Sequence, residues 1–113
     1  MGKVKVAIAT NGSKGLGDEV ADTFALANTF TLATIDGKKV RLDVLNNPVV
    51  SLSHGRGRTV VQMLKSKNVN VVVASEFGPG ASALLNQTKI SKVIVRAGTR
   101  ISDIIRDKLY KKQ

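Results

Sequence analysis

The sequence predicts one α/β domain built on a mixed five-stranded sheet with an antiparallel hairpin and flanking helices. Three observations support this prediction. The chain has 113 residues, of which 42% are hydrophobic, enough to bury one core. Its first half holds a tight-turn signal between two strand patterns, whereas its second half alternates helix and strand patterns, which is typical of parallel strands joined by crossovers. We therefore treat residues 1–113 as a single domain.

The chain begins with a strand pattern followed by a glycine loop. The stretch from Val4 to Ala9 is short and apolar on both faces, as expected for a strand that is covered on both sides. Residues 11–17 contain three glycines and are predicted to form a loop. The segment from Asp18 to Leu26 is predicted to make one or two helical turns.

A hairpin follows this segment. The strand patterns from Thr29 to Ile35 and from Lys39 to Leu45 are joined by Asp36-Gly37, a strong signal for a tight turn. In the second of these strands, apolar residues alternate with Arg41 and Asp43, which indicates a strand that is buried on one face only.

The second half of the chain starts with a helix and a strand. A helix is predicted from about Gly57 to Lys67 because Val60, Val61 and Leu64 would share one of its faces. The strand from Val69 to Ala74 is nearly all valine, which is expected of a central strand.

Two further helices and one strand complete the chain. A helix of small residues follows Gly78-Pro79-Gly80, and a short strand runs from Lys92 to Val95. Thr99 is the predicted N-cap of a C-terminal amphipathic helix. The resulting order, β-ββ-α-β-α-β-α with right-handed crossovers, is that of the ribonuclease-H-like α/β class.

Composition excludes several classes of function. There are 18 Lys and Arg against 8 Asp and Glu, so the formal net charge is +10, and there is one His and no Cys. The absence of Cys excludes thiolate metal sites, cysteine nucleophiles and disulfides. The N-terminal residues do not resemble a signal peptide and no apolar run is long enough to span a bilayer, so we expect a cytoplasmic protein with no membrane partner.

The positive charge is concentrated toward the C-terminus. Residues 89–113 contain eight cationic side chains against Asp103 and Asp107, a local net charge of +6. Such a surface attracts polyanions, nucleic acid first, although the same pattern is also typical of a solvated helix face. The chain has only four aromatic residues on which bases could stack, namely Phe24, Phe30, Phe77 and Tyr110.

No enzyme signature fits the chain. The glycine loop lacks the spacing of a dinucleotide fingerprint, since position 20 is Val20, and it lacks the Gly-Lys-Ser/Thr of a P-loop. The first strand has no carboxylate that could begin a two-metal nuclease site, and no nucleophile-elbow spacing accompanies His54. We therefore predict a protein that is not an enzyme.

The strongest candidate site precedes the first long helix, in the stretch Ser51-Leu-Ser-His54-Gly55-Arg56-Gly57-Arg58. Glycines let the backbone approach a ligand closely, N–H groups at a helix start favour anions, and arginines add charged donors. The loop Ser75–Gly80 leaves the carboxyl end of the central strand, where open α/β sheets bind ligands. The alternative is that His54 only caps the helix and the glycines only turn the chain.

Taken in order, several short motifs resemble the dinitrogenase iron–molybdenum cofactor biosynthesis family. The motifs are the opening Val-Ala-Ile-Ala-Thr strand, Phe24 and Phe30, Asn47-Pro48, Ser53-His54-Gly55-x-Gly57, Gly78-Pro79 with Ala81, and Gly98-Thr99. The resemblance covers nearly the whole chain. It implies a ribonuclease-H-like domain without nuclease activity that binds or escorts iron–sulfur or iron–molybdenum cluster precursors, with His54 as the candidate cluster ligand.

The chain also departs from the family pattern. Thr23-Phe24-Ala25 stands where members often have His-Phe-Gly, so a second possible ligand is missing, and Ser75-Glu76-Phe77-Gly78-Pro79 replaces a glycine-rich segment. A mononuclear metal ion needs three or four protein ligands, whereas a preassembled anionic cluster brings most of its own.

We therefore predict a carrier domain for an anionic cluster, which donor and acceptor proteins would load and unload. His54 is the predicted metal ligand, and the rest of the pocket would be formed by Gly55, Arg56, Gly57, Arg58, Gly78, Pro79 and Gly80. A nucleic-acid-binding module that uses the basic C-terminal third is the alternative.

Overall fold

The computed structural model describes residues 3–48 and 55–109 as one α/β unit. Its five strands are β1 (Val4–Thr10), β2 (Thr29–Asp36), β3 (Lys39–Asn46), β4 (Val71–Ala74) and β5 (Ser91–Ile94). The helices are α1 (Arg56–Ser66), α2 (Pro79–Thr88) and α3 (Ile101–Ile104), which continues as a π-helical segment over Ile105–Leu109.

The strands form one mixed sheet in the spatial order β3-β2-β1-β4-β5. β1 pairs antiparallel with β2, and β2 pairs antiparallel with β3, whereas the pairs β1/β4 and β4/β5 are parallel. The mixed five-stranded sheet with an antiparallel hairpin that the sequence predicts is thus confirmed. The parallel pairs are those whose connections contain a helix, as the geometry of crossovers requires.

Helices cover both faces of the sheet. On one face, α1 and α2 bury Val60, Val61, Leu64, Leu84 and Leu85 against a cluster that includes Phe30 and Val72. On the other face, the C-terminal helix buries Ile101, Ile104 and Ile105 against Val6, Ile8, Ala33 and Val73. β1 is buried on both faces because it lies in the middle of the sheet between these two layers.

The turn of the hairpin is shifted by one residue from its predicted place. The strands extend to Asp36 and from Lys39, so the turn residues are Gly37 and Lys38 rather than Asp36 and Gly37. Gly37 has a φ of +63°, as the first position of a type II′ turn requires.

Two local predictions were wrong. The segment from Asp18 to Leu26 contains no helix; a short 3₁₀ helix lies before it at Gly15–Gly17. The first residues of the segment are held extended because the Val20 N–H donates to the Thr99 carbonyl and the Ala21 N–H to the Ala9 carbonyl, whereas residues 22–26 contain bends and a turn.

Thr99 does not cap α3. Its hydroxyl donates to the Arg96 carbonyl at 2.6 Å, and Arg100 takes the N-cap position without a side-chain bond.

No helix within the described ranges is long and apolar enough to cross a membrane.

Candidate functional site

α1 and α2 begin at the same edge of the sheet, beside the carboxyl end of β4. α1 leads into β4 and α2 leaves it, so both helix starts lie at that end. A Cβ placed on Gly57 would lie 3.1 Å from the Ala81 Cβ and 3.3 Å from its backbone nitrogen. The first turns of the two helices are therefore in contact, and Gly57 is the residue that allows this close approach.

A small open pocket lies where the two helices begin. Its volume is about 250 Å³, and it is lined by Ala25, Gly55, Arg56, Gly57, Arg58, Gly78, Gly80 and Ala81. The structure thus brings the described part of the first predicted loop, Gly55–Arg58, together with Gly78 and Gly80 of the second. Pro79 begins α2 beside the pocket but does not line it. The pocket also includes Ala25, which was not among the predicted site residues, although Thr23-Phe24-Ala25 stands where members of the resembled family often have His-Phe-Gly.

Both helix starts offer backbone donors to this pocket. Gly55 is the N-cap of α1, with φ +73°, and its carbonyl accepts the first helical bond from the Thr59 N–H at 3.1 Å. In α2 the first such bond runs from the Ser82 N–H to the Gly78 carbonyl at 3.0 Å. The N–H groups that precede these bonds have no partner within their helix, and neither N-cap supplies a side-chain acceptor.

The charges around the pocket are positive. Neither helix has an acidic residue in its first turn, where carboxylates are ordinarily favoured. α1 instead carries Arg56 and Arg58 there. The Arg58 side chain lies along Gly80, because a Cβ on Gly80 would be 3.4 Å from the Arg58 Cγ. Two helix dipoles and two guanidinium groups therefore act in the same direction and favour an anion.

Arg56 contains a buried donor without a partner. Its Nε atom is buried, and no acceptor in the described part of the chain bonds to it. Burial of such a group without an acceptor is unfavourable by about 1–3 kcal/mol. A bound anion at this position would remove that penalty.

Four hydrogen bonds from two side chains hold the wall of the pocket in place. The Asn47 side-chain amide donates to the carbonyls of Ala25 and Ala27 at 2.8 and 2.9 Å. The Ser75 hydroxyl bonds to the carbonyls of Ala21 and Asp22 at 3.0 and 2.7 Å. These bonds tie the ends of β3 and β4 to the segment that supplies Ala25.

Aromatic packing supports the same wall. The rings of Phe24 and Phe77 are 4.9 Å apart, and that of Phe24 is 5.6 Å from Phe30. Phe24 and Phe30 are buried and Phe77 packs against the same cluster, so none of these three rings is free for base stacking. Tyr110 lies outside the described residues.

The glycine loop after β1 is not a phosphate cradle, because a carboxylate of the protein already fills it. Asp18 is 3% exposed, and its Oδ2 accepts the N–H groups of Gly12 at 3.1 Å and Lys14 at 3.0 Å. Its Oδ1 accepts the Glu19 N–H at 2.8 Å. The loop has therefore no N–H groups at these positions to offer to a nucleotide.

The predicted ligand His54, together with Ser51 and Ser53, lies outside the described residues. Its role therefore stays a prediction. Within the ranges that the structure describes, no group of three or more His, Cys, Asp or Glu side chains could hold a metal ion. The described part of the pocket thus offers N–H and guanidinium donors rather than metal ligands.

Comparison with known proteins places the chain in a family. The family model described as "Dinitrogenase iron-molybdenum cofactor" matches residues 2–111. A search of curated proteins found no match.

Three solved structures are similar to the chain. A putative NifB protein from Thermotoga shares 31% identity and a TM-score of 0.73 over 91% of this chain and 84% of its own. PH0822 shares 27% identity and a TM-score of 0.76 over 91% and 87%. The apo form of the orange protein from Desulfovibrio gigas shares 23% identity and a TM-score of 0.84 over 96% and 88%, a likeness that establishes the fold alone.

Proposed function

The chain belongs to the dinitrogenase iron–molybdenum cofactor family, and from this membership we propose that it is a non-enzymatic carrier domain for an anionic metal cluster. The cargo in this proposal is an iron–sulfur or iron–molybdenum cluster, or a precursor of one. The domain holds the cluster transiently in the pocket between the starts of α1 and α2.

The observation that carries the proposal is the buried Arg56 Nε, which has no partner among the described residues and lies beside two converging helix starts. A buried guanidinium donor, two helix dipoles and the absence of first-turn carboxylates all favour the same kind of occupant. That occupant is compact and negatively charged, which fits a sulfide-rich cluster or precursor.

The donor set fits a preassembled cluster better than a free metal ion. A mononuclear ion requires several protein ligands, and the described residues contain no group of three that could supply them. A cluster arrives with its own sulfides and needs few protein atoms. We assign His54 as its direct ligand and Arg56 and Arg58 as its electrostatic support. The backbone completes the pocket at Gly55, Gly57, Gly78 and Gly80, with Pro79 beside it.

We attribute the open shape of the pocket to a role in carrying a cluster rather than in catalysis. The pocket is shallow and lies at the surface between Gly55, Gly78 and Gly80, three glycines at which an added Cβ would meet at most one neighbouring side chain. A cluster could enter and leave without displacing an element of the fold. Donor and acceptor proteins in the cytoplasm are the expected partners.

The strand order β3-β2-β1-β4-β5, with the hairpin at one edge, supports the ribonuclease-H-like class as part of the same proposal. The alternative function, nucleic-acid binding by residues 89–113, has no support from the family or from the three similar structures.

The proposal is tested by anaerobic titration of the metal-free protein with an iron–sulfur or iron–molybdenum cluster, followed by gel filtration and metal analysis of the retained fraction. We expect stoichiometric retention by the parent protein and a loss of at least about tenfold in affinity for His54→Ala and for Arg56→Gln. Lys14→Gln removes a positive charge outside the pocket and serves as the control.

The variants separate two parts of the proposal. Retention by His54→Ala equal to that of the parent protein would remove the ligand assignment. Retention by Arg56→Gln equal to that of Lys14→Gln would show that the pocket does not hold the cluster.

A further inference from the structure

The sheet face that α1 and α2 cover is open at its other end. Along this face, the paired positions Ala9, Phe30 and Leu45 form one row and Ala7, Leu32 and Asp43 form the next. The first row packs into the core beneath the helices.

The next row toward the hairpin turn consists of Lys5, Thr34 and Arg41. The face thus changes from apolar to charged over three rows, at the point where the helices no longer cover it.

The uncovered end forms a groove of about 740 Å³. Its lining residues are Lys3, Lys5, Thr34, Asp36, Lys39, Val40, Arg41, Asp43, Asn68 and Asn70. β1, β2 and β3 form its floor, and the loop between α1 and β4 contributes Asn68 and Asn70 at one side.

The groove carries an excess of unneutralised positive charge. It contains four cationic side chains and two carboxylates. The Arg41 Nε atom lies 3.5 Å from the Asp43 Oδ2 atom. The two side chains are 80% and 54% exposed, so this ion pair is open to solvent. Lys3, Lys5 and Lys39 form no ion pair with any carboxylate in the ranges that the structure describes.

The floor of the groove is fixed by backbone bonds. The Lys5 N–H donates to the Asn70 side-chain oxygen at 2.9 Å, and the Asn70 N–H donates to the Lys5 carbonyl at 2.8 Å. The Asn70 carbonyl in turn accepts the Ser91 N–H at 3.0 Å. The backbone of Lys5 is therefore held beside the loop, so the sheet and the loop that line the groove are ordered before a partner binds.

We propose that this groove, formed by Lys3, Lys5, Lys39 and Arg41 around the ends of β1 to β3, is a docking site for an acidic segment of a partner protein. The lysines supply the attraction, and Asp36, Asp43 and the Asn side chains supply hydrogen-bonding groups that a peptide can match. Asp36 and Asp43 divide the positive charge into separate sites, which fits acidic side chains spaced along a peptide better than the closely and evenly spaced charges of a phosphate backbone. None of the described residues that line the groove is aromatic, so they offer bases nothing to stack on.

The groove and the pocket lie at opposite ends of β1. The strand has seven residues, so its ends are separated by roughly 20 Å. A partner in the groove would leave the starts of α1 and α2 accessible. The proposal for the groove does not depend on what the pocket binds, so each of the two proposals can be disproved without the other.

The test uses the full chain labelled with ¹⁵N and a peptide of about twelve residues rich in Glu, titrated at low and at moderate salt. We expect saturable shifts of the amide signals of residues 3–5, 34–43 and 68–70, and affinity that falls as salt rises. The double variant Lys5→Glu/Arg41→Glu should bind at least about tenfold more weakly.

The matched control is Lys14→Glu/Arg96→Glu, which makes the same change in net charge at two exposed positions outside the groove. A thermal melt of each variant confirms that it is folded. Equal weakening by both double variants would overturn the proposal, because net charge alone would then explain binding. Tighter binding of a twelve-nucleotide single strand than of the peptide, at the same groove, would also overturn it and would favour a nucleic-acid surface.

Discussion

The two ends of the sheet face beneath α1 and α2 both carry positive charge, but they are built differently. At the pocket end, arginines and backbone N–H groups are placed by helix starts that touch through Gly57 and Ala81. At the groove end, lysines extend from an uncovered sheet. The first arrangement suits a small anion at one place, and the second suits an extended partner. The net charge of the protein therefore does not indicate what each positive surface binds. The element that carries each charge, a helix start or an uncovered sheet, is the better indication of the size and shape of the ligand.

The largest expected effect is in the loop after β1, which lies at the same edge of the sheet as the pocket and is bonded to the start of α3 through the Ile101 N–H and the Asp18 carbonyl. Asp18→Ala should lower the free energy of unfolding by about 3 kcal/mol, because three backbone N–H groups lose their acceptor in a buried place. Urea denaturation measures the change. Asp22→Ala, at an exposed position close by, should change stability by less than about 0.5 kcal/mol. A small effect of Asp18→Ala would mean that the loop after β1 is not fixed as the bonds imply.

The contact between the helix starts provides the second test. Gly57→Val should lower the free energy of unfolding by about 2 kcal/mol and weaken cluster binding, because its side chain must displace Ala81. The control is Gly17→Val, where a Cβ would meet nothing within 4 Å. If the two variants have the same stability, the close approach of α1 and α2 is not needed for folding.

A third prediction separates stability from binding. Arg56→Met should raise the free energy of unfolding of the metal-free protein by about 1 kcal/mol, since it removes a buried donor that has no partner in the described residues. The same change should weaken cluster binding. Thermal melts with and without cluster measure both effects. A variant that is less stable in the metal-free state would contradict the assignment of Arg56 as a residue kept for binding.

The smallest effect is expected in the groove. Lys39→Ala should change the free energy of unfolding by less than about 0.5 kcal/mol, because its exposed side chain forms no ion pair within the described ranges. A loss comparable to that of Gly57→Val would mean that the groove end stabilises the fold and that the contrast between the two ends is wrong.

The strands and helices were predictable because their apolar residues repeat with the period of each element. Val60, Val61 and Leu64 share a helix face, and Val72 and Val73 of β4 are buried, as their patterns indicate. The extended form of the residues just after Asp18 was not predictable, because it depends on bonds to Ala9 and Thr99, which are distant in sequence. The prediction of Thr99 as a cap fails for a different reason, because its hydroxyl donates to the nearby Arg96 carbonyl instead of to the helix.

The residues of the candidate site were predictable from the sequence, but the way in which helix packing brings them together was not. Glycines beside arginines indicated an anion site, and the structure brings Gly55 to Arg58 together with Gly78 and Gly80. The contact of Gly57 with Ala81 and the burial of the Arg56 Nε arise from the packing of α1 on α2, which no local pattern encodes.

The central parallel pairing also determines how the protein is expected to fold. β2 and β3 are neighbours along the chain and can pair at once, whereas the contact of β1 with the β4 segment joins residues 65 positions apart. Closing such a long loop costs entropy before any parallel contact compensates for it. We expect the hairpin to gain amide protection first during refolding and β4 to gain it in the rate-limiting step, which pulsed hydrogen exchange would resolve.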